Sequence, residues 1–294
     1  MPTKIFKRLL KSVPFAGRIW NAHATRVLRF KILLLLGKRE SQTFTRFYRL
    51  PTQFKVLAGP VINFLLEDSP EQEIRILVIG CSKGAEAYTI SAALQKYRPG
   101  TKFSIHGVDI DPYMITRAEA ARYHADELGI YPRDHKDAVA SLFVEERSEE
   151  SVYDIKPEVR RHVTFSVGNA LDPNLAATCG PADIVFAQNF LYHLKPADSK
   201  LAFFNLCSLL KPRAALFIDG MDLDMKQRLT RQVGLTPMLD EIETIHADAY
   251  EERGTSWPAI YWGLEPLSRS RKDWTYRYST IFTRNQTVGE ISSR

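Results

Sequence analysis

The chain has 294 residues, 45% hydrophobic and 25% charged, with a net charge of +6. That is enough apolar material for a sizeable core, which excludes wholesale disorder, and no apolar run approaches the roughly 18 residues of a membrane-spanning helix. The length suits one large domain with an extension rather than two full domains.

The charge is unevenly placed. Ten Lys and Arg lie between Met1 and Arg39 with no Asp or Glu among them, so the remainder carries a net −4. Ile5, Phe6, Leu9, Leu10, Val13, Ile19 and Trp20 recur there at spacings of three and four, which predicts a basic amphipathic helical extension over 1–42. Such a helix can pack on the main domain, on an acidic protein or on an anionic membrane surface. No nucleic-acid motif accompanies the basic charge, so no specific nucleic-acid partner is expected. The first basic residues are not followed by a long apolar stretch and a cleavage site, so a secretory signal is not expected. Three widely spaced cysteines, Cys81, Cys179 and Cys207, form neither a CxxC pair nor a zinc quartet. The expectation is a reducing, cytoplasmic setting with a peripheral membrane contact open to the extension, and no metal.

From Glu73 onward short apolar runs alternate with helical patterns. Strands are predicted at Ile74–Ile79, Phe103–Asp109, Val163–Val167, Asp183–Ala187 and Ala214–Asp219, with a sixth within Pro237–His246. Trp274–Thr283 alternates like an antiparallel or edge strand. Helices are predicted at Ala85–Tyr97, Pro112–Arg122, Ser199–Leu210 and Met225–Val233, and helices and loops over Tyr123–Arg161. The pattern is that of an α/β fold with a doubly wound, seven-stranded sheet carrying one antiparallel member. Ligands of such sheets sit at the carboxyl ends of the strands, near the point where strand order reverses.

Two strand ends carry chemistry. After the first strand comes Gly80-Cys81-Ser82-Lys83-Gly84-Ala85-Glu86, whose glycines allow a sharp turn and a close ligand approach. Its spacing matches neither the dinucleotide fingerprint nor a P-loop, so a nucleoside without a pyrophosphate fits better. The second strand ends in Asp109-Ile110-Asp111, where a carboxylate suits ribose hydroxyls. Asp111, just before Pro112, is the expected cap of the following helix.

Four blocks in this order and spacing resemble the chemotaxis-receptor (CheR-type) methyltransferase family, which uses S-adenosylmethionine. Thr45-Arg46-Phe47-Tyr48-Arg49 is similar to Thr-x-Phe-Phe-Arg, and Gly80 to Tyr88 to Gly-Cys-Ser-Thr-Gly-Glu-Glu-Pro-Tyr. Asp109-Ile110-Asp111 matches Asp-Ile-Asp, and Ala187 to Leu194 is similar to Cys-Arg-Asn-Val-x-x-Tyr-Phe. The resemblance implies a Rossmann-like class I methyltransferase domain over 43–294 and S-adenosylmethionine as cofactor. It implies Gly80 in the cofactor loop, Glu86 at the cofactor's amino group and sulfonium, and Asp109 at its ribose. It also implies Asn169 and Ala170 at adenine, Gln188 and Asn189 at the methionine end, and Thr43 and Thr45 on the N-terminal side. Arg49 would lie by the transferred methyl and orient the acceptor. The chain departs from the family in having Gln188 where the family has Arg, His193 where it has Tyr with Tyr192 just before, and Lys83, Ala85 and Ala87 for Thr, Glu and Pro. The cofactor-facing residues are thus better kept than the acceptor-facing ones.

Methyl transfer needs proximity and alignment. A carboxylate acceptor, such as a protein glutamate, is already ionised and would be oriented by Arg49. A hydroxyl acceptor of a small molecule would need a base, for which His193 is the candidate, with Tyr192 or His106 behind it. Trp257, Tyr261, Trp262 and Trp274 are candidates for an acceptor's surroundings. The alternative to an enzyme is a non-catalytic module that binds the same cofactor for sensing or scaffolding.

Overall fold

Pro51 opens α1 (Pro51–Val56), where its missing N–H costs nothing. A π-helical turn follows over Leu57–Val61. It contains Pro60, which cannot donate to the preceding turn, and α2 (Ile62–Leu66) resumes the helix. The computed structural model describes residues 45–128, 135–143, 152–253 and 265–286. The predicted extension over 1–42, together with Thr43, Trp257, Tyr261 and Trp262, lies outside them.

The chain then runs through β1 (Ile74–Ile79), α3 (Ala85–Tyr97), β2 (Phe103–Asp109) and α4 (Pro112–Ala120). An insert follows, made of β3 (Arg122–His124), α5 (Ala125–Leu128), α6 (His135–Leu142) and β4 (Val152–Asp154). Next come α7 (Pro157–Arg160), β5 (Val163–Val167), α8 (Leu175–Cys179), β6 (Ala182–Gln188), a 3-10 turn at Leu191–His193 and α9 (Pro196–Ser208). The chain closes with β7 (Leu210–Asp219), α10 (Leu223–Gln232), β8 (Thr236–Pro237), α11 (Ile242–Arg253), α12 (Trp274–Tyr278) and β9 (Ile281–Asn285).

Seven strands form one sheet in the order β5-β2-β1-β6-β7-β9-β8. The first five are parallel, and β9 runs antiparallel to β7 and to β8. Strand order reverses between β1 and β6. Side chains alternate across the sheet, as the two-residue repeat of a strand requires. Ile76, Val78, Ile184, Phe186 and Phe217 face α3 and α1 in one core. Leu77, Ile79, Val185, Leu216 and Ile218 face α9 in the other, against Phe203 and Leu206. Phe186 and Phe217 stack at 4.1 Å between ring centroids.

Several expectations need correction. Of Pro237–His246 only Pro237 is in a strand, as the end of the two-residue β8 (Thr236–Pro237), and α11 begins at Ile242. The alternating run from Trp274 starts as a helix, Trp274–Tyr278, because Arg277 turns inward onto Glu265 and Asp224; the strand begins only at Ile281. The region after Tyr123 contains a small antiparallel pair, β3 with β4, that no sequence signal announced. Among the described residues no helix is long and apolar enough to cross a membrane, and no His, Cys, Asp and Glu group could hold a metal. All three cysteines are free and buried.

Candidate functional site

A cavity of about 610 Å³ opens at the carboxyl edge of β1, β2 and β6, where strand order reverses. That volume is in the range of small-molecule sites. Of the residues expected there, Thr45, Arg49, Gly80, Glu86, Asp109, Asn169, Ala170, Gln188, Asn189 and His193 all line it. Thr43 lies outside the described residues.

The loop after β1 bends on Gly80 (φ +76°), whose N–H donates to the Val108 carbonyl (2.8 Å). A Cβ at Gly80 would meet the Phe190 ring at 2.8 Å, so only glycine fits between that ring and the turn. The Asp109 carboxylate accepts the Ser82 N–H on one oxygen (2.7 Å) and the Asp111 N–H on the other (3.0 Å). It therefore ties both strand-end loops together, and each oxygen keeps a further lone pair. Asp111 caps α4, accepting from the Tyr113 N–H at 2.9 Å.

Lys83 does not join the cavity. Its ammonium meets Glu127 at 2.9 Å, and Glu127 also pairs with Arg117 at 2.9 Å. Burial would raise the Glu127 carboxyl, but the His124 N–H, Lys83 and Arg117 outweigh it and hold the group at about 2. The Tyr123 hydroxyl donates to the Lys83 carbonyl (2.6 Å), so the insert clamps the cofactor-type loop from outside.

Glu86 stands in the first turn of α3, half-buried at the cavity wall. Burial pushes its carboxyl up to about 7, Asp219 adds to the rise, and the Arg49 guanidinium opposes it. Arg49 reaches the cavity because the segment Thr45–Leu50 is anchored on its other side. Phe47 packs edge-to-face on Tyr123 and Phe143 at 4.9 and 5.0 Å, and Tyr48 on Phe54 at 5.8 Å. With Phe47, Tyr48 and Leu50 inside, Arg46 and Arg49 are left to line the cavity.

The far wall follows β6. Asn189 sits at φ +63°, a left-handed turn that asparagine tolerates. Its N–H donates to the Asp219 carbonyl (3.0 Å), and the Tyr192 N–H to that of Gly220 (2.9 Å), so the loops after β6 and β7 are zipped together. A Cβ at Gly220 (φ +66°) would meet the Asn189 Cα at 2.8 Å and the Tyr192 ring at 2.7 Å. Gly220→Ala is therefore expected to destabilise the fold by about 2 kcal/mol, from backbone strain and overpacking. Thermal unfolding checks this, and an unchanged midpoint would refute it.

The lining also holds residues that sequence reasoning did not single out as site residues: Arg46, Phe54, Ile110, Leu171 and Phe190. A large aliphatic residue directly after the ribose-type acid was a usable signal, and Ile110 is 64% exposed. Ile110 and Leu171 give the Asp109 end an apolar border suited to a flat base. Three expectations do not hold. His106 is held on the sheet by Thr164 (2.9 Å) and Ser166 (2.8 Å), away from the cavity, so it does not back up His193. Tyr192 is buried behind the wall, its ring 4.1 Å from that of His193. Trp274 lies on α12, beneath the Arg269 guanidinium, and does not line the cavity.

The family profile described as CheR methyltransferase, SAM binding domain, matches residues 43–236. A probable biofilm formation methyltransferase WspC of Pseudomonas aeruginosa is 31% identical over 235 residues, covering 76% of this chain and 51% of that protein. Its Pseudomonas putida counterpart is 30% identical, covering 66% and 44%. The chemotaxis protein methyltransferase Cher2 of Pseudomonas putida is 28% identical, covering 60% and 65%. The chain thus spans about half the length of the first two relatives.

Proposed function

Because the chain belongs to the CheR methyltransferase family, whose S-adenosylmethionine-binding domain it contains, we propose that it transfers a methyl group from S-adenosylmethionine to a carboxylate oxygen of a protein acceptor. The observation that carries this reading is one cavity that brings the Asp109 carboxylate together with Arg46, Arg49 and Glu86, the Arg49 charge acting on the Glu86 carboxyl. The cavity residues fit the cofactor. Asp109 has lone pairs for a ribose diol, and Asn169 to Leu171 with Ile110 border a base. Glu86, with Gln188 and Asn189, meets the cationic amino-acid end.

Bound there, the cofactor supplies an activated methyl group on a sulfonium. The chain's own residues hold and align it, and Arg49 orients the acceptor carboxylate by a charge-assisted contact. No proton needs to leave an ionised carboxylate, so His193 is required only for a hydroxyl acceptor. The chemotaxis naming of the relatives supports a protein acceptor.

The test is transfer of labelled methyl to glutamate-rich bacterial proteins, followed by mild alkali. Alkali-labile label that falls about a hundredfold in Arg49→Gln is expected. Alkali-stable label would point instead to a hydroxyl, with His193 as base. Tight cofactor binding without transfer to any acceptor would overturn the catalytic reading and leave a binding module.

A further inference from the structure

Gln188, at the last position of β6, lines the cavity yet is only 7% exposed. Its amide nitrogen is engaged within the protein. Gln188 Nε2 donates to Gln53 Oε1 at 2.6 Å, and Gln53 Nε2 donates to Thr280 Oγ1, again at 2.6 Å. Gln53 sits on α1, wholly buried, 135 residues away from Gln188 along the chain. Thr280 is itself fixed. Its carbonyl accepts the Ile218 N–H (2.8 Å), and the carbonyl of the preceding Ser279 accepts the ammonium of the buried Lys226 (2.7 Å). Two buried carboxamides in series are costly to leave unsatisfied, and in this arrangement each is hydrogen-bonded to the next.

We propose that Gln53 is a positioning residue that, anchored on Thr280, locks the Gln188 carboxamide with its carbonyl oxygen toward the cavity, as an acceptor for the ammonium-bearing end of the cofactor. The inference rests on the cofactor reading given above. With one Gln188 N–H engaged by Gln53, the oxygen is the acceptor left to the ligand. An acceptor suits a cationic ligand end, and Glu86 across the same cavity has the same preference. The relay thus reads the amino-acid half of the cofactor and leaves the nucleoside half to Asp109.

That division gives a test that general damage to the fold would not mimic. S-adenosylhomocysteine carries the amino-acid moiety, whereas 5′-methylthioadenosine has the same nucleoside without it. Calorimetric affinities for both are measured on wild type, Gln53→Met, Gln53→Glu and Thr280→Val. Gln53→Met keeps the shape without the hydrogen bonds. It is expected to weaken S-adenosylhomocysteine about tenfold and methylthioadenosine less than about twofold. Gln53→Glu, wholly buried and so kept protonated, can accept from Gln188 Nε2 on one oxygen and donate to Thr280 Oγ1 from the other, so it restores the relay and is expected to recover binding to within about threefold of wild type. Thr280→Val makes the same comparison from a half-buried position if Gln53→Met does not fold.

Equal weakening of both ligands, no change in either, or a Gln53→Glu variant no better than Gln53→Met would overturn the proposal. Wild type binding both ligands equally would overturn it as well, leaving the nucleoside site intact. Wild type binding neither would overturn the cofactor reading and the relay's role together.

Discussion

Asp109→Ala is expected to bind S-adenosylmethionine and S-adenosylhomocysteine at least a hundredfold more weakly than wild type. Two hydroxyls of a ribose would each lose a charge-assisted acceptor worth about 1.5–3 kcal/mol, and about 2.8 kcal/mol already corresponds to a hundredfold. The loss reaches further than the direct contact. The Ser82 and Asp111 amides, now satisfied by the two oxygens of one carboxylate, would be left without that partner. The loops after β1 and β2 would therefore lose their common anchor, at an additional stability cost of about 1–3 kcal/mol. Asp109→Asn separates the contributions. Its carbonyl can serve one of the two amides, but its NH2 faces the other donor, so it should recover only part of either loss. Calorimetry with thermal unfolding reads both. Binding by Asp109→Ala within threefold of wild type would remove the ribose assignment.

The second large effect is the pH dependence set by Glu86. In the ligand-free cavity its carboxyl is pushed up to about 7, by burial first and by Asp219 in addition. An unfolded glutamate titrates near 4.3. Between these values the folded state binds the extra proton, so this group's contribution to stability falls as pH rises from about 4.3 and is fully lost above about 7. A cationic ligand end reverses the preference, because it favours the ionised form. Cofactor affinity should then be highest above pH 7 and fall about tenfold per pH unit below it. Glu86→Gln should flatten that profile and weaken binding at pH 8. The same variant should stabilise the ligand-free protein at pH 8 by about 2–3 kcal/mol, since no ionised group remains to be buried. Weaker binding together with greater stability is a paired outcome that a packing defect would not produce. A pH-independent affinity in wild type would refute the assignment.

The parts of the fold that were readable from sequence share a cause. Ile74–Ile79, Phe103–Asp109 and Val163–Val167 are β-rich runs closed by Gly, Asp or polar residues, and each strand has the predicted bounds. Gly80 and Asp109 stand out because they sit at the ends of such strands, whereas Thr45, Arg49, Glu86, Asn169, Ala170, Gln188 and Asn189 are named through the resemblance to the family. What escaped was decided by distant partners. Arg277 pulls Trp274–Tyr278 into a helix through carboxylates at positions 224 and 265. Lys83, inside the glycine loop, pairs with Glu127 from the insert, a partner 44 residues away. Gln188 read as the loss of a charge, and its tie to Gln53 has no local signature.

The three cysteines make the protein its own reporter of opening. Burial raises the thiol of each, Cys81 and Cys207 most strongly, so all three are poor nucleophiles in the folded state. A thiol reagent should therefore meet a silent protein and register events in which a thiol is freed. Cys81 belongs to the turn that lines the cavity, whereas Cys179 and Cys207 stand on α8 and α9 in the opposite core. Labelling of Cys81 alone would time the local breathing of the nucleoside loop, and simultaneous labelling of all three would time global unfolding. Saturating ligand should slow the first clock through the loop it closes, and the second only by its binding free energy.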